Sequence, residues 1–246
     1  MKLNLVIPMA GLGSRFSEAG YSKPKPFIDV LGKPMIERVI DNLIFPGANL
    51  ILIARAEHLE KEKDYVHYLS KRYNASIVSI DRLTEGTACT VLYARKFIDN
   101  DLPLLIANSD QIVDVDISQF VNDCKNRDLN GSILVFRERE GSKKWSYVRL
   151  DDMNLVVEAK EKDPISDLAT VGIYLFAKGR DFVSSAIDMI VRNDRVNGEF
   201  YTCPIYNYTV REGSRIGVFE ISFEKMHGIG VPEDLEKFVN LLKNRS

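Results

Sequence analysis

At 246 residues the chain is long enough for one large α/β domain or two small ones, with a core that needs neither disulfides nor metals as staples. Its 45% hydrophobic and 28% charged residues are ordinary for a globular protein, and a net charge of -2 with a pI near 6.0 lacks the basic field of a nucleic-acid binder. Cys89, Cys124 and Cys203 are too scattered for a disulfide framework or a zinc site, and no apolar run is long enough for a membrane span. A cytoplasmic protein with small-molecule partners is expected.

Residues 3–7 read as a buried strand, and a loop marked by Gly and Pro runs from 10 to 32. Pro34 then opens a helix in which Met35, Ile36, Val39, Ile40 and Leu43 recur at helical spacing, with Glu37, Arg38 and Asp41 opposite. A second buried strand follows at 50–53. Residues 57–73 predict a charged, solvated helix with Tyr65, Tyr68 and Leu69 along one side and His58 and His67 without a role. Strands at 76–80 and 104–107 enclose a helix at 87–94. This alternation predicts an α/β fold with right-handed crossovers and a mostly parallel sheet flanked by helices. Ligands gather beyond the carboxyl ends of such strands, which singles out the loops after Ile7 and Ala107.

The second half is richer in strands, at 132–136, 145–150, 155–158, 170–176 and 215–221, with helices at 182–191 and 201–211. Pro232 opens the last helix, and Glu233 and Asp234 suit its positive end. With no repeat and no linker composition, residues 1–246 are expected to form a single domain.

Gly11-Leu12-Gly13-Ser14-Arg15 directly follows the first strand. Two glycines let backbone N–H groups approach phosphate oxygens closely, and Arg15 adds charge. Phe16 stands where a dinucleotide fingerprint would need a third glycine, and the Gly-Lys-Ser/Thr ending of a P-loop is absent. A glycine turn without a ligand is the plain alternative for this motif alone. Lys25, however, lies between Pro24 and Pro26, so its ammonium can be aimed at small entropic cost.

Pro8-Met9-Ala10-Gly11-Leu12-Gly13-Ser14-Arg15-Phe16, then Pro24-Lys25-Pro26, then Gly32-Lys33-Pro34-Met35-Ile36 resembles the opening of the sugar-phosphate nucleotidyltransferase family. Glu85-Gly86-Thr87-Ala88, Asn108-Ser109-Asp110, Lys160-Glu161-Lys162, Val171-Gly172-Ile173-Tyr174, Gly198-Glu199 and Gly230-Val231-Pro232-Glu233-Asp234-Leu235 follow in family order. The resemblance implies a GT-A-like, Rossmann-like fold and a Mg2+-dependent transfer of a nucleoside monophosphate to a phosphorylated small-molecule acceptor, with release of pyrophosphate. It implies that Ala10, Gly11, Leu12, Gly13 and Ser14 wrap the triphosphate while Arg15 and Lys25 neutralise its charge. Glu85, Gly86, Thr87 and Ser109 would contact the nucleotide, and Asp110 would hold Mg2+. Lys162 would grip the acceptor phosphate, with Glu161, Gly172 and Glu199 beside it. An ionised phosphate is already a nucleophile, so catalysis reduces to positioning and charge neutralisation. A homodimer is a further family-level expectation.

Two positions depart from the family. Gly228 stands where a second metal aspartate is usual; His227 and Glu224 are near in sequence, although Mg2+ prefers oxygen. Asp81 stands where a related thymidylyltransferase reads the base with glutamine. A carboxylate only accepts hydrogen bonds, which suits the amine of cytosine and favours CTP over UTP or dTTP. The Pro-Met-Ala-Gly opening and Gly228 resemble a capsule-associated branch, which implies L-glutamine phosphate as acceptor ahead of a hexose 1-phosphate. A nucleotide-binding regulator without catalysis and a nucleotide-sugar glycosyltransferase are the other readings of this fold.

Overall fold

Alternation along single strands divides the core in two. β1 (Leu3–Pro8) sends Leu3, Leu5 and Ile7 to one apolar cluster and Val6 to the other. β2 (Ala48–Arg55) splits the same way, Leu50, Leu52 and Ala54 against Ile51 and Ile53. A side-chain period of two does this in any strand, and burial on both faces turns the pattern into a continuous apolar run.

The computed structural model describes residues 2–245. After β1 and β2 come β3 (Ser76–Ile80), β4 (Leu104–Ala107), β5 (Gln111–Val113), β6 (Gly131–Arg137), β7 (Ser146–Leu150), β8 (Val156–Glu161), β9 (Leu168–Phe176), β10 (Ile216–Glu220) and β11 (Met226–Gly228). The main sheet has nine strands, with the order β10-β6-β9-β4-β1-β2-β3 and β7 and β8 attached beside β9. Neighbours in the first half are parallel, as are β6 and β10, whereas β9 runs antiparallel between β4 and β6. β5 and β11 form a separate antiparallel ribbon with Gln111 opposite Gly228. This is the mixed, mostly parallel α/β architecture that the alternation predicts.

The helix Met35–Leu43 buries Met35, Ile36, Val39, Ile40 and Leu43 completely. Each such side chain contributes about 1.5–3 kcal/mol relative to an exposed one. Glu37, expected on the solvent face, is buried instead. It accepts hydrogen bonds from the hydroxyls of Tyr65 and Tyr68, the latter at 3.1 Å. The expected helix over 57–73 is two, Ala56–Lys61 and Lys63–Tyr73, parted at Glu62. His58 is buried rather than solvated.

Among the elements not anticipated from the sequence are β5, β11 and the helix Ile117–Asn126. The Asp116 side chain caps that helix by accepting from the Ser118 N–H at 2.9 Å, and Ile117, Phe120, Val121 and Cys124 bury one stripe. Residues 201–211 hold a 3-10 turn, Cys203–Ile205, with Pro204 in its first turn, before the helix Tyr206–Arg211. All three cysteines are free, and burial pushes the Cys124 thiol up to about 11. Among the described residues no helix is long and apolar enough to cross a membrane.

Candidate active site

The chain leaves β1 into the glycine loop at the carboxyl end of the sheet. Gly13 takes φ 64° to start the short helix Ser14–Glu18, and a Cβ on it would stand 2.9 Å from the Lys25 Cβ. Glycine therefore lets the Lys25 segment lie directly on the loop. Lys25 opens a 3-10 turn behind Pro24, and its ammonium pairs with the Asp110 carboxylate. Asp110 follows β4, and its carbonyl accepts the Ile229 N–H at 2.9 Å. The β5–β11 ribbon thus brings residues 228–230 to the turn that carries Asp110.

A cleft of about 500 Å³ gathers Arg15, Lys25, Thr87, Asp110, Glu161, Lys162 and Gly172 from the expected site. Lys162 sits just beyond β8 at φ 56°, its N–H bonded to the Trp145 carbonyl at 3.0 Å. Its Nζ donates to the Tyr201 hydroxyl at 2.9 Å and lies 4.9 Å from the centre of that ring. The tyrosine hydrogen bond holds the Lys162 ammonium above its ordinary range, so it stays a cation. Burial raises the neighbouring Glu161 carboxyl, which accepts from the Ser146 hydroxyl, and Lys162 offsets part of that rise. Lys143, Lys144, Trp145, Ser146 and Tyr174, which carried no site expectation, also line the cleft. With Arg15, Lys25, Lys143, Lys144 and Lys162 against Asp110, Glu161 and Asp234, cations outnumber carboxylates, which suits polyanionic ligands.

A second cavity of about 310 Å³ adjoins the first through Thr87, Asn108 and Asp110, which line both. Ala10, Gly11, Gly86, Ser109 and Glu199 line it, together with Leu83, Thr84 and Thr90. Gly86 (φ 116°) heads the helix Thr87–Leu92, and a Cβ on it would strike the backbone of Phe200. Two backbone bonds fasten this loop there, Phe200 N–H to the Glu85 carbonyl at 2.7 Å and Ala88 N–H to the Phe200 carbonyl at 3.0 Å.

Five expected residues line neither cavity. Leu12 is exposed, and with Gly13 it faces a separate hollow beside Lys23, His58 and Lys61. Ser14 is exposed at the start of its helix, with its carbonyl accepting from the Ser17 hydroxyl at 2.8 Å. Glu85 points outward to Arg195 at 2.7 Å. Asp81 is exposed and paired with its neighbour Arg82 at 3.1 Å, which lowers its carboxyl below the usual range. Glu199, expected beside the acceptor, lines the second cavity instead of the first, held there by its backbone pairing with Val196. His227 lies on the far side of β11 and bonds Asp114 at 3.0 Å, and Glu224 is exposed in a short turn.

No group of three or more His, Cys, Asp or Glu able to hold a metal occurs among the described residues. Mg2+ needs no such cage, because it binds through one or two carboxylates, substrate phosphates and retained waters. Asp110 fits that habit. A Cβ on Gly230 would stand 2.6 Å from its Oδ2, so the missing side chain leaves the carboxylate its room.

A family model described as nucleotidyl transferase matches residues 5–200. The bifunctional protein GlmU of Methanococcus aeolicus is 29% identical over 251 residues, covering 98% of this chain and 55% of that one. The chain spans about half the length of the curated relatives it matches. The nucleoside-diphosphate-sugar pyrophosphorylase from Vibrio cholerae RC9 superposes with a TM-score of 0.80 at 26% identity, covering 96% of this chain and 99% of that one. The inositol-1-phosphate CTP transferase from T. maritima shares the fold, with a TM-score of 0.75 at 14% identity over 98% and 95% of the two chains.

Proposed function

The chain belongs to the nucleotidyl transferase family, and from that premise we propose that it joins a nucleoside monophosphate to a phosphorylated small molecule and releases pyrophosphate. The single observation that carries this reading is the junction of the two cavities at Asp110, with Lys25 paired to it and Lys162 in the same cleft. The smaller cavity takes the nucleoside, and the larger takes the acceptor. Lys162, fixed by Tyr201, grips the acceptor phosphate, while Arg15 and Lys25 meet the triphosphate. An acceptor phosphate oxygen forms a bond to the α-phosphorus with its own lone pair. The α–β anhydride bond breaks, and its electron pair leaves on pyrophosphate. No proton moves, so the absence of a poised general base among these residues costs nothing. Asp110 would hold Mg2+, whose charge stabilises the crowded phosphate oxygens. We also read residues 1–246 as one domain, since β10 pairs with β6 and β11 with β5.

For the finer specificity we propose CTP and L-glutamine phosphate. CTP rests on the likeness of Pro8-Met9-Ala10-Gly11 and Gly228 to the capsule-associated branch; Asp81, outside both cavities, lends it no support. For the acceptor, the larger cleft offers both signs of charge beyond the phosphate grip. Glu161 suits an ammonium, and Lys143 or Lys144 suits a carboxylate. The second reading is a sugar 1-phosphate with UTP or dTTP, favoured by relatives whose names refer to sugars. Pyrophosphate release over a matrix of CTP, UTP, dTTP and GTP against glutamine phosphate, glucose 1-phosphate and mannose 1-phosphate decides between them. Turnover only with sugars defeats the amino-acid acceptor, and no turnover with any pair defeats the enzyme.

A further inference from the structure

Gly228 leaves a gap in the wall of the larger cleft, and what borders that gap is informative. The point where a Cβ on Gly228 would sit is 4.0 Å from Asp234 Oδ2 and 3.9 Å from Gln111 Oε1. The corresponding point on Gly230 is 2.6 Å from Asp110 Oδ2 and 3.6 Å from Lys25 Nζ. Gly228, Gly230, Gln111, Asp110 and Asp234 all line one cleft. We propose that Asp234, reaching in from the first turn of the helix Pro232–Arg245, supplies the second carboxylate for the divalent cation held by Asp110. This rests on the metal-dependent transfer reading above.

Gln111 is the independent sign that a ligand group belongs in the gap. It follows Asp110 in the chain, pairs with Gly228 across the ribbon and is 5% exposed. Its Nε2 has no hydrogen-bond partner. The atom that borders the gap is its amide oxygen, 3.9 Å from the Cβ point on Gly228, and a neutral side-chain oxygen is a ligand that a hard divalent cation takes beside carboxylates. Asp234 is free to answer. Its present partners are Lys144 at 3.4 Å and Lys237 at 3.5 Å, both well exposed, and such pairs hold weakly. Glu233 in the same helical turn does not line the cleft, so the inward carboxylate is a property of position 234 and not of an acidic helix start.

The test is Mn2+ binding, followed by the loss of its free EPR signal in the presence of α,β-methylene-CTP and, in parallel, the uridine analogue. Asp234→Asn should weaken Mn2+ binding by about 10-fold or more. Gly228→Asp/Asp234→Asn should return it to within about 3-fold of the unmodified protein, because position 228 has room for a side chain and an aspartate there would restore a carboxylate to the gap. Unchanged Mn2+ binding by Asp234→Asn overturns the proposal, as does a double variant that stays as weak as Asp234→Asn. Unmodified protein that binds Mn2+ with neither analogue defeats the metal-dependent reading beneath it, a distinct outcome.

Discussion

Gly230→Ala is the sharpest test of the site geometry, because the perturbation is a single methyl group. Gly230 does not have a left-handed backbone, so alanine brings no conformational strain. The new Cβ would stand 2.6 Å from Asp110 Oδ2, whereas ordinary contacts begin near 3.4 Å. The carboxylate at the end of a short side chain must therefore move by about 0.8 Å, and Lys25, paired with it, moves too. A misplacement of that size costs on the order of 10²-fold in rate, or roughly 2.7 kcal/mol of barrier. Folding should hardly notice, since what must give is the end of the Asp110 side chain at the wall of the cleft and not packed core. Gly228→Ala is the matched control: its Cβ would meet nothing closer than 3.9 Å, and the loss there should be under about 3-fold. Continuous pyrophosphate release gives kcat for both, and thermal unfolding gives their stability. Equal activities at the two positions would show that the Asp110 carboxylate need not sit where it does.

The remaining expectations follow from the same contacts. Asp110→Asn should cost several kcal/mol of transition-state stabilisation and be worst at limiting Mg2+; near-wild-type kcat/KM there would remove Asp110 from the metal. Lys162→Ala should chiefly raise KM for the acceptor and leave that for the nucleotide alone, so the reverse pattern would exchange the two cavities. Glu161→Gln should raise the melting temperature at pH 7 while weakening the acceptor. A carboxyl whose folded pKa lies above its unfolded value binds more protons folded, so stability falls as pH rises between those values and the ionised form carries the full penalty above them. The advantage of glutamine should vanish below the carboxyl's unfolded pKa, about 4.3, and a pH-independent difference would mean that Glu161 is not buried as a charge. Asp81→Gln should leave the preference among CTP, UTP and dTTP within about 3-fold, because the side chain faces solvent; a 10-fold change would bring it back to the base.

The first four sheet strands were legible because each is a short, mostly apolar run, broken only by Asn4 in β1, Asn49 in β2 and Ser76 and Ser79 in β3. Gly11, Lys25, Asp110 and Lys162, which line the two cavities, lie in motifs that follow one another in chain order, whereas Leu12, Gly13 and Ser14 of the same glycine loop face elsewhere. What escaped was mostly set by tertiary pairing. β5 and β11 have three residues each, too few to show a period, and exist because they pair with one another. Glu37 looks solvent-facing on its own helix, since the tyrosines that receive it lie about 30 residues later. The resemblance puts Asp81 at the base, but the chain turns after Ile80, and Leu83 and Thr84 are the residues that reach the cavity. The helix at 117–126 is a different case: Asp116 and the spacing of Ile117, Phe120, Val121 and Cys124 spelled it out in full.

The ribbon that joins residues 111–113 to 226–228 also has a consequence in time. On a ribosome adding about 5–20 residues per second, Asp110 emerges several seconds or more before Ile229, whose N–H docks on it. Until then the glycine loop, β4 and Lys162 can all exist while the wall carrying Gly228 and Gly230 is missing. Nascent chains therefore pass through a stage that has most of the sheet but an unfinished cleft. Activity should appear abruptly once residues 226–234 and the helix that carries Asp234 clear the exit tunnel, which a series of stalled chains of increasing length would reveal as a step and not a ramp.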